Sequence, residues 1–319
     1  EMQRSLVGSE MCIRDSRDED QIAVLEMGIS DFGEMARLTK IAKPDTCVIT
    51  NIGTCHLENL GDRDGVLKAK TEIFQSMKPN GHIVLNGDDD KLITVREYNG
   101  VKPVFFGLNS ERDVYADQIE SKGLKGVACR IHLGEDAFDV LVPTPGIHMV
   151  YNALAAAAVG RIYGLTIEEI RRGIESLETI RGRFKMIETD KFLVVDDCYN
   201  ANPMSMKASL DVLHDGEGRR VAILGDMGEL GEDEAALHEG VGIHAAICGI
   251  DACVCVGDLA VHIAEAARKA NPDFPVYYEK TRESLLEHLN DYVQKGDTIL
   301  VKASHFMKFE EVVKALEEM

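Results

Sequence analysis

The sequence predicts an α/β protein of two units in series: a parallel-sheet unit carrying an antiparallel flap, followed by a Rossmann-like parallel unit. Three observations predict it. Short apolar runs alternate with amphipathic stretches from Gln21 onward; glycine-separated short strands break that rhythm between residues 101 and 143; a fresh alternating series starts after residue 180. Strand, helix and strand in sequence with short links mean right-handed βαβ units, whose working loops lie at the carboxyl ends of the strands. At 319 residues the chain is long enough for two cores of ordinary size.

Taken in order, residues 21–27 (QIAVLEM) read as a buried strand and 32–42 as a helix stopped by Lys43-Pro44. Residues 46–52 form a second strand, 63–77 a longer helix and 82–86 a third strand closed by Asn86-Gly87-Asp88. The flap strands fall at 104–106, 114–116, 126–133 and 138–142. Pro143 to Gly146 then break the chain before an alanine-rich helix over 149–163, and Thr166 with Glu169 spells a capping box for the next. The boundary is placed at Ile180-Arg181, giving units of residues 17–180 and 181–319. Strands of the second unit are expected at 192–196, 220–224, 252–256, 276–278 and 298–301, with a closing helix over 309–318.

Composition excludes several classes. A net charge of -20 would repel a nucleic-acid backbone. No apolar run approaches the roughly 18 residues that span a bilayer. The eight cysteines are scattered in apolar runs and never form CxxC pairs, so they read as reduced core thiols of a cytoplasmic protein. Cys248, Cys253 and Cys255 are not expected to bind metal, on the view that alternating strand residues point to opposite faces and no ligand pair completes a set. Residues 1–16 show no signal peptide and no periodicity. The stretch 5–16 (SLVGSEMCIRDS) resembles translated sequencing-adaptor read-through, which sets the expected native start near Arg17.

Three residues at strand ends of the first unit can carry chemistry. Glu26 ends the first strand, His56 follows the second and Lys70 lies on the next helix. A strand-end carboxylate suits a hard cation such as Mg²⁺, and an imidazole can complete its shell. Each also has a bland reading as a helix cap, a polar loop residue or a surface lysine.

Residues 26–35 (EMGISDFGEM), 48–53 (VITNIG) with 56–58 (HLE), 68–74 (KAKTEIF), 146–156 (GIHMVYNALAA) and 196–203 (DDCYNANP) together resemble the Mur ligase family. The likeness runs from Arg17 to Met319 with the motifs in the family's order. It implies a P-loop-type central domain, here truncated, and a C-terminal ligase domain, with ATP and Mg²⁺ as cofactors. It also implies that Glu26 and His56 bind magnesium with Lys70 as a carbamate, and that Asn152, Arg183, Asp197, Asn200 and Asn202 meet the nucleotide. The wording of 224–231 (LGDMGELG) and 300–304 (LVKAS) is similar to the branch that joins D-alanyl-D-alanine to UDP-N-acetylmuramoyl-tripeptide, acting as a monomer. Asp226, Glu229, Lys302 and Ser304 are the implied dipeptide contacts.

Two departures stand out. Met149 occupies a position where many relatives carry asparagine, and a thioether cannot make an amide's hydrogen bonds. The family's GKT-type loop and small UDP-binding domain, which lie upstream of Glu26, are not spelled anywhere in these residues, so ATP is expected to bind poorly and the chain to be inactive alone. Two rivals follow from this: another ligase of the family, adding an amino acid or glutamate, and a non-catalytic nucleotide-binding module. Asn200-Ala201-Asn202-Pro203 also reads as a helix N-cap. A nicotinamide dehydrogenase is disfavoured, because no GxGxxG cradle follows any strand.

Overall fold

The computed structural model describes residues 20–54 and 56–319, so the proposed foreign segment lies outside the described residues. By contact the chain divides into two compact units. One comprises residues up to 117 with 130–138 and 151–171; the other comprises 118–129, 139–150 and 172–319.

The first sheet has six strands in the order β1 (Thr46–Ile49), β2 (His82–Asn86), β3 (Val104–Gly107), β4 (Val114–Ser121), β5 (Val127–Leu133) and β6 (Asp136–Val142). Strands β1 to β4 pair in parallel. The four strands expected of an antiparallel flap are present, but β3 and β4 pair in parallel and so extend the parallel sheet instead; β5 and β6 show the alternating burial of a sheet with one solvated face. Helix α1 (Glu34–Ala42) stops at a left-handed Lys43 before Pro44. Helix α2 (Leu57–Leu60) is a single turn, and α3 (Arg63–Thr71) continues into a 3₁₀ turn at Glu72–Ser76. Helix α4 (Ile147–Ile162) is the alanine-rich one. Helix α5 (Ile167–Glu175) carries the expected capping box, with Thr166 N–H donating to Glu169 at 2.8 Å and Glu169 N–H to Thr166 Oγ1 at 3.3 Å.

One expected strand is absent. Residues 20–29 belong to no regular element, and Val24 is 92% exposed. The sheet order begins at β1, so this apolar run has no ladder among the described residues, and hydrophobic composition without a ladder does not make a strand.

The second sheet has the order β11-β10-β9-β12-β8-β7. Its members are β7 (Lys185–Glu188), β8 (Leu193–Asp196), β9 (Arg220–Gly225), β10 (Ala252–Val256), β11 (Val276–Glu279) and β12 (Thr298–Lys302). All pairs are parallel except β7 with β8. The five expected strands are present, and β7 is the one not foreseen: its half-exposed KMIE run has no clean period. The connecting helices are α6 (Pro203–His214), α7 (Glu234–Ile247), α8 (Ala260–Ala270) and α9 (Arg282–Tyr292), with α10 (Glu310–Glu318) closing the chain.

The two faces of this sheet feed two separate cores. Val221, Ile223, Val254, Ile299 and Val301 join one cluster, while Ala222, Leu224, Cys253, Cys255 and Leu300 join the other. Every central strand is therefore apolar on both sides, as a helix-covered parallel sheet requires. Cys253 and Cys255 stand two residues apart and so share a face, contrary to the expectation that they diverge; their sulfurs lie 3.6 Å apart. Their surroundings are apolar, and among the described residues no group of three or more His, Cys, Asp or Glu is arranged to hold a metal.

Candidate active site

β12 returns to the slot between β8 and β9, so the winding of the second sheet reverses there. The loops leaving β8, β9 and β12 consequently adjoin at one rim, the position where open α/β sheets hold ligands. Ser304 ties these three loops together. Its N–H donates to Asp226 O at 3.0 Å, its hydroxyl oxygen accepts from Gly228 N–H at 2.9 Å, and the hydroxyl donates to Ala201 O at 3.4 Å.

Most residues expected to face substrate here are internal struts. Lys302 is only 3% exposed, and its ammonium reaches Asp197 Oδ2 at 2.6 Å and Asn200 O at 3.1 Å. Asp197 also accepts from Ser209 Oγ at 2.7 Å and Phe184 N–H at 3.2 Å. The Asp226 side chain accepts from Leu259 N–H at 3.1 Å and Ala260 N–H at 2.7 Å, capping the start of α8. Burial pushes its carboxyl upward, against the pull of those amides. A Cβ at Gly257 would sit 2.3 Å from that carboxylate, so glycine is what lets the loop close over it. Asn202 caps α6 in a reciprocal box with Ser205, and Asn200 Oδ1 accepts from Ala201 N–H at 2.8 Å.

Asn200 is nonetheless exposed, and Glu229, Arg183 and Tyr199 also reach outward from this frame. Glu229 is exposed and left-handed, with φ 60°. It sits between Met227 and Leu230, both sunk in the core. The Arg183 guanidinium stacks 4.0 Å from the centre of the half-exposed Tyr199 ring, a cation–π pair that orients an otherwise floppy side chain. Tyr199 N–H donates to Gly182 O at 3.0 Å, stitching the boundary peptide to the β8 loop.

In the first unit the loop after β1 is fixed by its backbone. Ile52 N–H donates to Asp89 Oδ2 at 2.8 Å, and Arg63 Nε donates to Ile52 O at 2.9 Å. Lys70 Nζ donates to Asn51 O at 2.9 Å, which puts the amine beside the loop bearing His56. His56 itself is left-handed, φ 58°, and precedes α2. A Cβ at Gly65 would lie 1.8 Å from Leu60 O, so only glycine lets α3 start this close to α2. Glu26 stands on the irregular segment three residues before Ile29. Ile29, Ile52, Leu60 and Ala69 share one core cluster, so the chain near Glu26, His56 and Lys70 is gathered on common packing. As an ammonium, Lys70 is a hydrogen-bond donor and no metal ligand; the three donors suit a hard cation only with that amine carbamylated. Asn152 is exposed on α4, next to Tyr151, whose hydroxyl donates to Asp88 Oδ2 at 3.2 Å; burial first, then Asp88, pushes that phenol up to about 12.

Sequence reasoning missed Ser209, Asp89, Arg63 and His238 as members of these networks. The available signal for His238 was its place on the apolar stripe of α7, where a buried imidazole must find partners.

Two sheets built mainly of parallel strands, each with polar groups at its strand ends, place the chain among multidomain α/β proteins. Comparison sharpens this. Residues 4–160 match the model for the Mur ligase middle domain, and residues 182–305 that for the Mur ligase glutamate ligase domain. The first match begins inside the segment the sequence sets aside as foreign. The chain is 36% identical over 315 residues to UDP-N-acetylmuramoyl-tripeptide–D-alanyl-D-alanine ligase of Bacillus subtilis strain 168, covering 98% of this chain and 68% of that protein. A crystal structure of MurF from Acinetobacter baumannii superimposes with TM-score 0.89 at 32% identity, over 98% of this chain and 68% of that one. MurF ligase from Thermotoga maritima in complex with ADP gives 0.82 at 28% identity, over 97% and 70%. The chain belongs to the Mur ligase family. It spans about two thirds of the length of these relatives.

Proposed function

We propose that this chain is the ATP-using and acceptor-binding part of a cytoplasmic ligase that joins the amine of D-alanyl-D-alanine to the terminal carboxylate of UDP-N-acetylmuramoyl-tripeptide in peptidoglycan synthesis. The observation that carries this reading is the end-to-end likeness to ligases of that name, at 36% identity over 98% of the chain. A carboxylate is a poor electrophile, so the reaction runs through an acyl phosphate formed with ATP, and the dipeptide amine then displaces phosphate. Bound Mg²⁺ would neutralise phosphate charge during that transfer. Glu26, His56 and carbamylated Lys70 would hold it.

The protein's own share is positioning. Arg183, oriented on Tyr199, would meet phosphate oxygens as a planar, permanently charged donor. Asn152 supplies an exposed amide for the nucleotide. Among the four proposed dipeptide contacts, Glu229 offers the exposed carboxylate for the dipeptide's ammonium, while Asp226, Lys302 and Ser304 hold the rim in shape.

The test is phosphate release from ATP by the intact gene product, given UDP-N-acetylmuramoyl-tripeptide and either D-alanyl-D-alanine, meso-diaminopimelate or lysine. Release that requires the dipeptide is expected. Release with diaminopimelate or lysine and none with the dipeptide would move the protein to another branch of the family.

A further inference from the structure

Helix α7 buries His238 completely, at 0% exposure, between the core and the turn that follows β9. A buried imidazole must satisfy both nitrogens, and here the partners dictate how. Nδ1 lies 2.7 Å from Glu234 O, which can only accept, so Nδ1 carries the proton. Nε2 lies 2.9 Å from Met227 N, which can only donate, so Nε2 is bare. Both bonds exist only for the neutral Nδ1–H tautomer. A second proton on Nε2 would set N–H against N–H.

The consequence reaches the site rim. Met227 N–H is held by His238, Gly228 N–H by Ser304 Oγ, and Asp226 by the amides opening α8. Two consecutive amides and the preceding side chain are thus pinned, and the next residue is Glu229 in its left-handed conformation. A non-glycine residue keeps such a conformation only where its surroundings impose it. The titratable groups facing His238 are Asp226 from the β9 loop, His262 from α8 and Glu234 from its own helix. Burial lowers the imidazole's proton affinity most; the Glu234 carbonyl and the two carboxylates oppose this, and His262 adds to it.

We propose that His238 is a positioning residue for the acceptor side of the reaction: as a neutral acceptor for Met227 N–H it holds the Gly225–Leu230 turn that presents Glu229 to the dipeptide's ammonium, and it releases the turn on protonation. The proposal rests on the acceptor reading given above for the role of Glu229; the His238–Met227 contact stands independently of it.

The experiment is NMR on the full chain across a pH series. It follows His238 ring signals, Met227 amide exchange and the shifts of Gly228 and Glu229 on adding D-alanyl-D-alanine. Wild type should lose Met227 protection and about tenfold in dipeptide affinity as His238 titrates, the loss of one buried hydrogen bond's worth of positioning. His238→Gln, whose amide oxygen accepts at every pH, should abolish that dependence. His238→Leu should show the unprotected, weak-binding state already at neutral pH. A glutamine variant with the wild-type pH profile, or Met227 still protected with His238 protonated, would overturn the latch. Dipeptide binding to wild type at no pH would overturn the role given to Glu229, and the exchange data would still decide the His238–Met227 contact.

Discussion

The strand-end loops of the two sheets are built on different principles. At the rim of the second sheet, polar side chains face inward. Asp197, Lys302, Ser209 and Ser304 satisfy one another and the loop backbones, leaving few outward groups. At the rim of the first sheet the backbone does the holding, through Ile52 and its partners Asp89 and Arg63, while Glu26 is exposed and His56 and Lys70 half-exposed. The second rim is a preformed frame of buried polar groups; the first holds its backbone and leaves its side chains more open to solvent. Stability should therefore depend heavily on the second set of polar residues and little on the first.

The largest break in that contrast is Lys302→Met. It strands the Asp197 carboxylate in a site where both side chains are nearly inaccessible. Removing one partner of a buried pair costs about 3–5 kcal/mol, read as the loss in urea-unfolding free energy. Adding Asp197→Leu should recover most of it, because the desolvated charge then disappears with its partner. Ser304→Ala comes next. It leaves the Gly228 N–H without its acceptor and cuts the bond to Ala201, for about 1–3 kcal/mol. Equal stability of the alanine variant would mean that water replaces the hydroxyl and that the three loops are not joined through it.

Much of the fold was legible, for identifiable reasons. Doubly covered strands such as β9, β10 and β12 have interiors that are apolar on both faces, with polar residues only at the ends of β9 and β12, so composition alone finds them. The same cue misleads at residues 20–29, where an apolar run lacks a partner strand, and overlooks β7, where a half-exposed edge strand carries no period. Site residues were legible as types and positions, not as directions. Asp197, Asp226, Lys302 and Ser304 sit at strand ends, and nothing in a string of letters says whether such a side chain turns toward ligand or back into the loop. His238 was hidden for the opposite reason: a histidine on an apolar helical stripe reads as ordinary core until its two hydrogen bonds are seen.

The pH dependence of stability sharpens the contrast from another side. Burial holds the His238 imidazole below its ordinary value of 6.5 in the folded state. Between that lowered value and 6.5 the unfolded chain binds more protons, so stability falls as pH drops through 6.5 and levels off below the folded value. The slope is at most about 1.4 kcal/mol per pH unit, the limit for one proton. Unfolding curves of wild type and His238→Gln, compared across pH, isolate this contribution from the carboxylates. A difference that is flat below pH 6.5 would show that His238 titrates normally when folded.

The smallest expected effect comes from the first rim, and its sign matters more than its size. His56 holds φ 58° and ψ 28°, a left-handed conformation that costs an L-residue about 1–2 kcal/mol and glycine almost nothing. Against this, glycine gains unfolded-state freedom worth about 0.5–1 kcal/mol. His56→Gly should therefore leave stability unchanged or raise it by up to about 1.5 kcal/mol. The same substitution should weaken Mn²⁺ binding in the presence of ATP, measured by paramagnetic broadening on the intact gene product. Stability kept while ion affinity is lost is what a strained ligand at a working site produces. A glycine variant that unfolds more easily would instead make His56 a strut, and the two rims would then follow one building rule.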